Sequence, residues 1–189
     1  VKAIQTDIAG HVSAASAALN ITIDTTPPAV TVNSLMTNET TPAITGTVSD
    51  GALEVVVNSK TYTAGDGNLT VNGTDWTLQI PAGDALGEGT YPVTASSTDM
   101  AGNTGTDGTT NELIVDTTQP SLTITDDEPG VANIAGGDVT FTFTFSETVT
   151  GFVAADITVT GGTKGAFTAV SGTVYTLAVS PDADSTADV

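Results

Sequence analysis

The chain has 189 residues, with 22 acidic side chains against three basic ones and a net charge of −19. Such a surface has no cationic patch to displace counterions from phosphates, which excludes nucleic acids and anionic membranes as direct partners. Hydrophobic residues make up 39% and mean hydropathy is +0.14, so the acid belongs to a chain that can bury cores, not to a disordered one.

Cysteine is absent, which removes both a disulfide framework and a thiolate metal site. No apolar run reaches the length of a membrane span, and no charged n-region precedes Val1. The sequence opens in mid-repeat and is expected to be part of something longer. Asp7-Ile8-Ala9-Gly10-His11 returns as Asp99-Met100-Ala101-Gly102-Asn103, and Asp24-Thr25-Thr26-Pro27-Pro28 as Asp116-Thr117-Thr118-Gln119-Pro120. Both offsets, 99 − 7 and 116 − 24, equal 92. A period that long, shared by two unrelated motifs, marks tandem domains with separate cores and not a solenoid.

Residues 1–24 align with 93–116 and are expected to be the last two strands of a preceding domain. Residues 25–116 are the complete repeat. Thr, Val and Ile dominate it, and branched Cβ atoms suit a pleated surface. Strands are predicted near 29–33, 42–48, 53–58, 60–63, 69–71, 75–80, 91–98 and 111–115. Trp76, Leu78 and Ile80 alternate with Thr77 and Gln79, which places the indole on a core face. Tyr91 opens the sixth main strand after Leu86-Gly87-Glu88-Gly89-Thr90. A tyrosine corner or a plain core tyrosine would both suit that position. About seven strands in about ninety residues give the fold class: all-β, tandem immunoglobulin-like β-sandwiches.

Residues 117–189 form a second domain with a different front half, opened by the acidic loop Asp126-Asp127-Glu128-Pro129-Gly130. Val139-Thr140-Phe141-Thr142-Phe143-Thr144-Phe145 puts three Phe on one face. Tyr175-Thr176-Leu177-Ala178-Val179 resembles Trp76-Thr77-Leu78-Gln79-Ile80, the fifth main strand. No Tyr-x-Val strand or Asp-x-Ala-Gly-Asn loop follows it. The second domain is therefore expected to be a second subtype, truncated at its C-terminal end, with its Phe face only partly covered.

The acidic motifs carry the only chemistry. In an immunoglobulin-like topology the B–C and F–G loops lie where the chain comes in, and here they hold Asp50 and the run Asp99 to Asn103. Asp24 leads into the first strand at the same end, and Asp7 and Asp116 are the repeat counterparts of Asp99 and Asp24. Converging carboxylate and amide oxygens with no Lys or Arg beside them suit a hard cation, and Ca²⁺ accepts six to eight oxygens more flexibly than Mg²⁺. The other reading is structural: Asp before Thr-Thr-Pro caps a turn, and Asp-x-Ala-Gly-Asn is a tight loop that uses Gly and Asn for positive φ. Asp126, Asp127 and Glu128 read as a solvated loop, and Asp182, Asp184 and Asp188 as a weaker acidic run. An enzyme is not expected. His11 is the single histidine, no Ser/His/Asp set can be built around it, and aromatics are 5% of the chain, too few for the platforms of a glycosidase cleft.

The Asp24 to Pro28 linker, the Tyr91-Pro92-Val93-Thr94-Ala95 strand and the Thr98 to Asn103 loop resemble the bacterial immunoglobulin-like (Big-type) repeats of giant RTX and biofilm-associated surface adhesins. Gly137 to Phe143 and Phe145 to Phe152 resemble a second repeat type of the same proteins. The resemblance implies extracellular extender domains on a bacterial cell surface, serving adhesion and biofilm formation. They would stack on neighbouring repeats, be stiffened by Ca²⁺ at the junctions, and hold a distal domain that meets a surface glycan or protein. It points to Asp24, Asp99, Asn103 and Asp116 as junction residues. His11 departs from the pattern where it has Asn, and Gln119 departs from it in the linker. Two other functions remain: a glycan- or protein-binding module, and an accessory domain of a secreted polysaccharide-degrading enzyme.

Overall fold

A computed structural model describes residues 1–128 and 137–183 and divides into two units, Val1–Thr117 and Thr118–Val189. In the first unit the strands are β1 (Val30–Val32), β2 (Leu35–Thr37), β3 (Ala43–Val48), β4 (Ala52–Val57), β5 (Lys60–Thr63), β6 (Leu69–Asn72), β7 (Asp75–Gln79), β8 (Gly89–Tyr91), β9 (Val93–Thr98), β10 (Thr104–Thr106) and β11 (Leu113–Val115). One sheet has the order β1-β3-β7-β6. The second layer is made of two smaller sheets, β10-β9-β4-β5 and β2-β11-β8, whose strands β8 and β9 are separated in the chain only by Pro92. All pairs are antiparallel except β2 with β11. Two such layers with alternating inward residues make the immunoglobulin-like sandwich that the strand count predicts.

The strand expected near 29–33 is β1, and β2 after it was not predicted. β1 pairs with β3 and β2 with β11, so the chain changes sheets between them. The strand expected at 91–98 is interrupted at Pro92, between β8 and β9, and β10 was not predicted. Between β10 and β11 side chains replace the ladder: Val32 N–H donates to Asp107 Oδ1 at 3.2 Å and Val93 N–H to Glu112 Oε2 at 3.0 Å.

The Trp76 indole is buried, and its Nε1–H lies 3.1 Å from Thr31 O and 3.2 Å from Thr47 O. A buried indole N–H needs such a partner. Gly46 makes the room, because a Cβ there would stand 2.0 Å from Thr31 O and 2.5 Å from Trp76 Cζ2. Tyr91 is a tyrosine corner: its hydroxyl donates to Gly87 O at 3.0 Å.

Residues 1–24 form a hairpin joined by Leu19 N–H to Val1 O, Ser16 N–H to Ala3 O and Ser13 N–H to Gln5 O. The two strands expected there reduce to one bridge, Thr6 with Val12. The Ala3 and Gln5 N–H groups donate to the hydroxyls of Ser16 and Ser13 instead of to carbonyls, which interrupts the ladder.

The described residues of the second unit form one antiparallel sheet, β12-β13-β15-β14, built from β12 (Leu122–Asp126), β13 (Val139–Phe145), β14 (Gly162–Ala169) and β15 (Val174–Pro181). Phe141 and Phe143 are buried and Phe145 is half-buried, while Leu122 and Ile124, which pair with Phe145 and Phe143, stay 44% and 40% exposed. Val149, Phe152, Ile157 and Val159 pack on the Phe rings from the segment after β13. Phe152 is the hub, with ring centroids 5.6 Å from Phe143, 5.0 Å from Phe145, 5.8 Å from Phe167 and 5.1 Å from Tyr175. Tilted and edge-on pairs at these distances add to what area burial supplies. Pro129, Gly130, Asp184 and Asp188 lie outside the described residues.

Candidate functional site

The loop from Asp99 to Asn103 joins β9 to β10 and is closed by Asp99 N–H to Asn103 O at 3.0 Å and Gly102 N–H to Asp99 O at 3.2 Å. Gly102 takes φ +91°, which a side chain rarely adopts. The Asp99 carboxylate organises the turn. Oδ1 accepts from Ala101 N at 2.8 Å and Asn103 N at 2.9 Å, and Oδ2 accepts from Asn103 Nδ2 at 2.9 Å. The Asn103 side-chain amide, then the backbone N–H groups, hold the Asp99 pKa below the ordinary carboxylate value against a partial desolvation that raises it. The same Nδ2 lies 3.2 Å from Asp24 O, so this loop grips the linker that feeds the domain.

The first copy of the motif is built alike. Asp7 Oδ1 accepts from Ala9 N at 2.9 Å and His11 N at 2.8 Å, while His11 Nδ1 lies 2.9 Å from Asp7 Oδ2. A carboxylate can only accept, so Nδ1 carries the proton. The His11 backbone N–H first, then its side chain, lower the Asp7 pKa. His11 therefore reproduces Asn103 and does not depart from it: the position calls for an N–H donor at a fixed distance from the carboxylate. Asn103 likewise presents its amide nitrogen to Asp99, an assignment fixed by the acceptor opposite it.

The other candidate residues are placed as follows. Asp24 Oδ1 accepts from Thr26 N at 3.0 Å, capping the turn into Pro27 and Pro28. Asp50 O accepts from Ser97 Oγ at 2.7 Å, and Asp50 Oδ1 stands 3.4 Å from Ser49 Oγ. These bonds tie the B–C loop to β9 and the F–G loop to the linker, so Asp24, Asp50 and Asp99 share one end of the sandwich. Asp116 lies at the other end. Its N–H donates to Thr37 O at 2.9 Å, just past Val115, which pairs with Gly89 at the start of β8. Asp7 belongs to the hairpin's own loop. Among the described residues no three His, Cys, Asp or Glu side chains lie close enough together to hold a metal.

In the second unit Asp126 Oδ1 accepts from Glu128 N at 3.0 Å, and Asp127 Oδ1 from Thr140 N at 2.8 Å. The Thr140 N–H holds the Asp127 pKa low. Both act as local caps.

One cluster escaped the sequence reading. Lys60 Nζ pairs with Asp84, and the buried Tyr62 donates its hydroxyl to Asp84 Oδ2 at 3.0 Å. Burial, then Asp84, push the Tyr62 phenol up to about 12. A shallow recess of about 300 Å³ lies beside them, lined by Val57, Gly83 and Leu86 among others. The available signal was Lys60 itself, one of three basic residues in the chain.

A search of curated proteins found no match. Residues 30–117 match one family profile and residues 116–189 match another, and each is described as a bacterial Ig-like domain. Such domains commonly occur in extracellular or surface proteins, as repeat modules that are typically non-catalytic. The chain thus carries, in series, two bacterial Ig-like domains of different families.

Proposed function

We propose that this chain is a spacer segment of a bacterial surface adhesin, with repeats that project a distal binding domain and have no catalytic role of their own. The observation that carries the reading is the bond from Asn103 Nδ2 to Asp24 O, made by the same side chain that closes the Asp99 loop. A spacer needs each domain to fix the direction of the chain entering it. A loop repeated at a fixed period and bonded to the linker supplies that constraint. Residual dipolar couplings test it on the intact chain. The hairpin of residues 1–24 and the sandwich should share one alignment tensor, and Asn103→Ala should separate them. Independent tensors in the unaltered chain would refute the spacer mechanism.

Ca²⁺ at the junction is the second part of the proposal. It is supported by the net charge of −19 and by the arrival of Asp24, Asp50 and Asp99 at one end. The donor set fits only in part: the Asp99 carboxylate already accepts three N–H groups, so Asp24 and Asp50 would supply the remaining carboxylate oxygens. A bound cation would neutralise them and hold the linker against the loop. At a hundredfold excess over its dissociation constant it would stabilise the domain by about 2.7 kcal/mol. Melting curves that coincide in Ca²⁺ and in EDTA would reject the metal and leave the hydrogen-bonded clamp.

A further inference from the structure

The chain enters the first sandwich at the Asp24 end and leaves it at Asp116, at the other end. β11 is the middle strand of β2-β11-β8, parallel to β2 and antiparallel to β8. β2 follows the entering segment and β11 precedes the exit. Tension along the chain therefore draws β2 toward one end and β11 toward the other, and slides the pair lengthwise. The evenly spaced bonds of a parallel pair share the load in that geometry. Pulled apart from one end, the same bonds would open one at a time.

Glu112 stands at the rear of β11. Its backbone O accepts from Leu35 N–H at 2.7 Å, and Asp116 N–H donates to Thr37 O at 2.9 Å, so bonds to β2 bracket the strand. The Glu112 side chain is 3% exposed and crosses to β9, where Oε2 accepts from Val93 N–H at 3.0 Å. The register of Leu113 with Tyr91 sets Glu112 opposite Pro92, which has no N–H to give. The carboxylate thus sits where β8 ends and β9 begins. Among the described residues its other oxygen, Oε1, is buried and makes no hydrogen bond. An unpartnered buried oxygen costs stability, so equilibrium stability alone does not account for this residue.

We propose that β11 is a mechanical clasp that keeps the domain folded when the chain is pulled, and that the Glu112 carboxylate is the pin that holds it. The proposal rests on the spacer reading for the source of the tension. Glu112 trails Leu113–Val115 in the direction of sliding, and its side chain lies across that direction. To slip, β11 must break its ladders with β2 and β8 and withdraw a carboxylate from a closed gap in the same movement.

Single-molecule force spectroscopy on the 189-residue chain, held by its two ends, tests this. Release of residues 30–115 adds about 28–31 nm of contour, which identifies rupture of the first domain. A second attachment uses Asn38→Cys, an exposed position just past β2 in a chain without other cysteines, together with the C-terminal end. It pulls β2 and β11 from the same end, and the domain should rupture at a severalfold lower force. Glu112→Leu fills the buried volume without the carboxylate and should lower the end-to-end rupture force. It should leave the force from Asn38→Cys unchanged, because peeling from that end reaches Glu112 last. Glu112→Gln keeps an oxygen for Val93 N–H and should rupture at the native force. Equal forces in the two geometries would overturn the clasp. A Glu112→Leu force equal to the native one, or lowered by the same factor in both geometries, would overturn the pin, as would a Glu112→Gln chain as weak as Glu112→Leu. The load is applied directly, so these results stand apart from the alignment tensors that test the spacer reading.

Discussion

Gly46→Ala is the most direct test of how the first domain is held together. The added Cβ would stand 2.0 Å from Thr31 O and 2.5 Å from Trp76 Cζ2. Neither neighbour can swing aside, since one is ladder backbone between β1 and β3 and the other is a buried ring. Forcing a methyl group into a packed core costs about 1–3 kcal/mol. Displacing the indole also breaks its bonds to Thr31 O and Thr47 O, worth about 0.5–1.5 kcal/mol each. The expected loss is about 3 kcal/mol or more, a large part of a typical domain stability of about 5–15 kcal/mol. At about 4–8 °C per kcal/mol, the melting temperature should fall by about 12 °C or more. Trp76 is the only tryptophan, so its fluorescence during urea unfolding follows this domain and not the second one. Gly83→Ala is the control: nothing lies within 4 Å of its added Cβ, and stability should hold or rise slightly. A Gly46→Ala midpoint equal to the native one would show that the indole does not need that space.

Asn103→His should keep the Ala101 and Asn103 amide protons protected from exchange, because His11 fills the same role in the first copy, whereas Asn103→Asp sets two carboxylates face to face and should expose them. Acid should open both loops. The Asp7 and Asp99 pKa values are depressed by folding, so their contribution is complete above the unfolded value of about 4 and is lost as pH falls through the depressed values. Carboxyl chemical shifts followed through that range would show it, and a midpoint at the ordinary value for Asp99 would contradict the bonding described. The Tyr62 contribution has the opposite sign: it is complete below the unfolded value of about 10 and is lost as pH rises through about 12. Phenolate absorbance should therefore show a late step that Tyr62→Phe removes.

Local pattern was enough to find the sandwich. The alternation of Trp76, Leu78 and Ile80 placed the indole inward, and the 92-residue period located the two Asp-x-Ala-Gly loops, because side-chain direction in a strand and the recurrence of a motif are both written in sequence order. Which partner a polar group takes is a different matter. Asn103 looked like an oxygen ligand and His11 like a lapse from the motif. The folded loop shows that both are N–H donors to an aspartate four residues earlier. The pairing of Lys60 with Asp84 spans 24 residues, and nothing local announces it.

Sequence by itself determined the all-β class, the repeat and the acidic surface, since composition and periodicity constrain each residue without reference to distant ones. Tertiary structure alone decided that β2 follows β1 and joins a different sheet, that Tyr91 reaches back to Gly87, and that Phe152 packs on the Phe face of the second unit. In each case the outcome belongs to the chain segments packed around a residue and not to the residue itself.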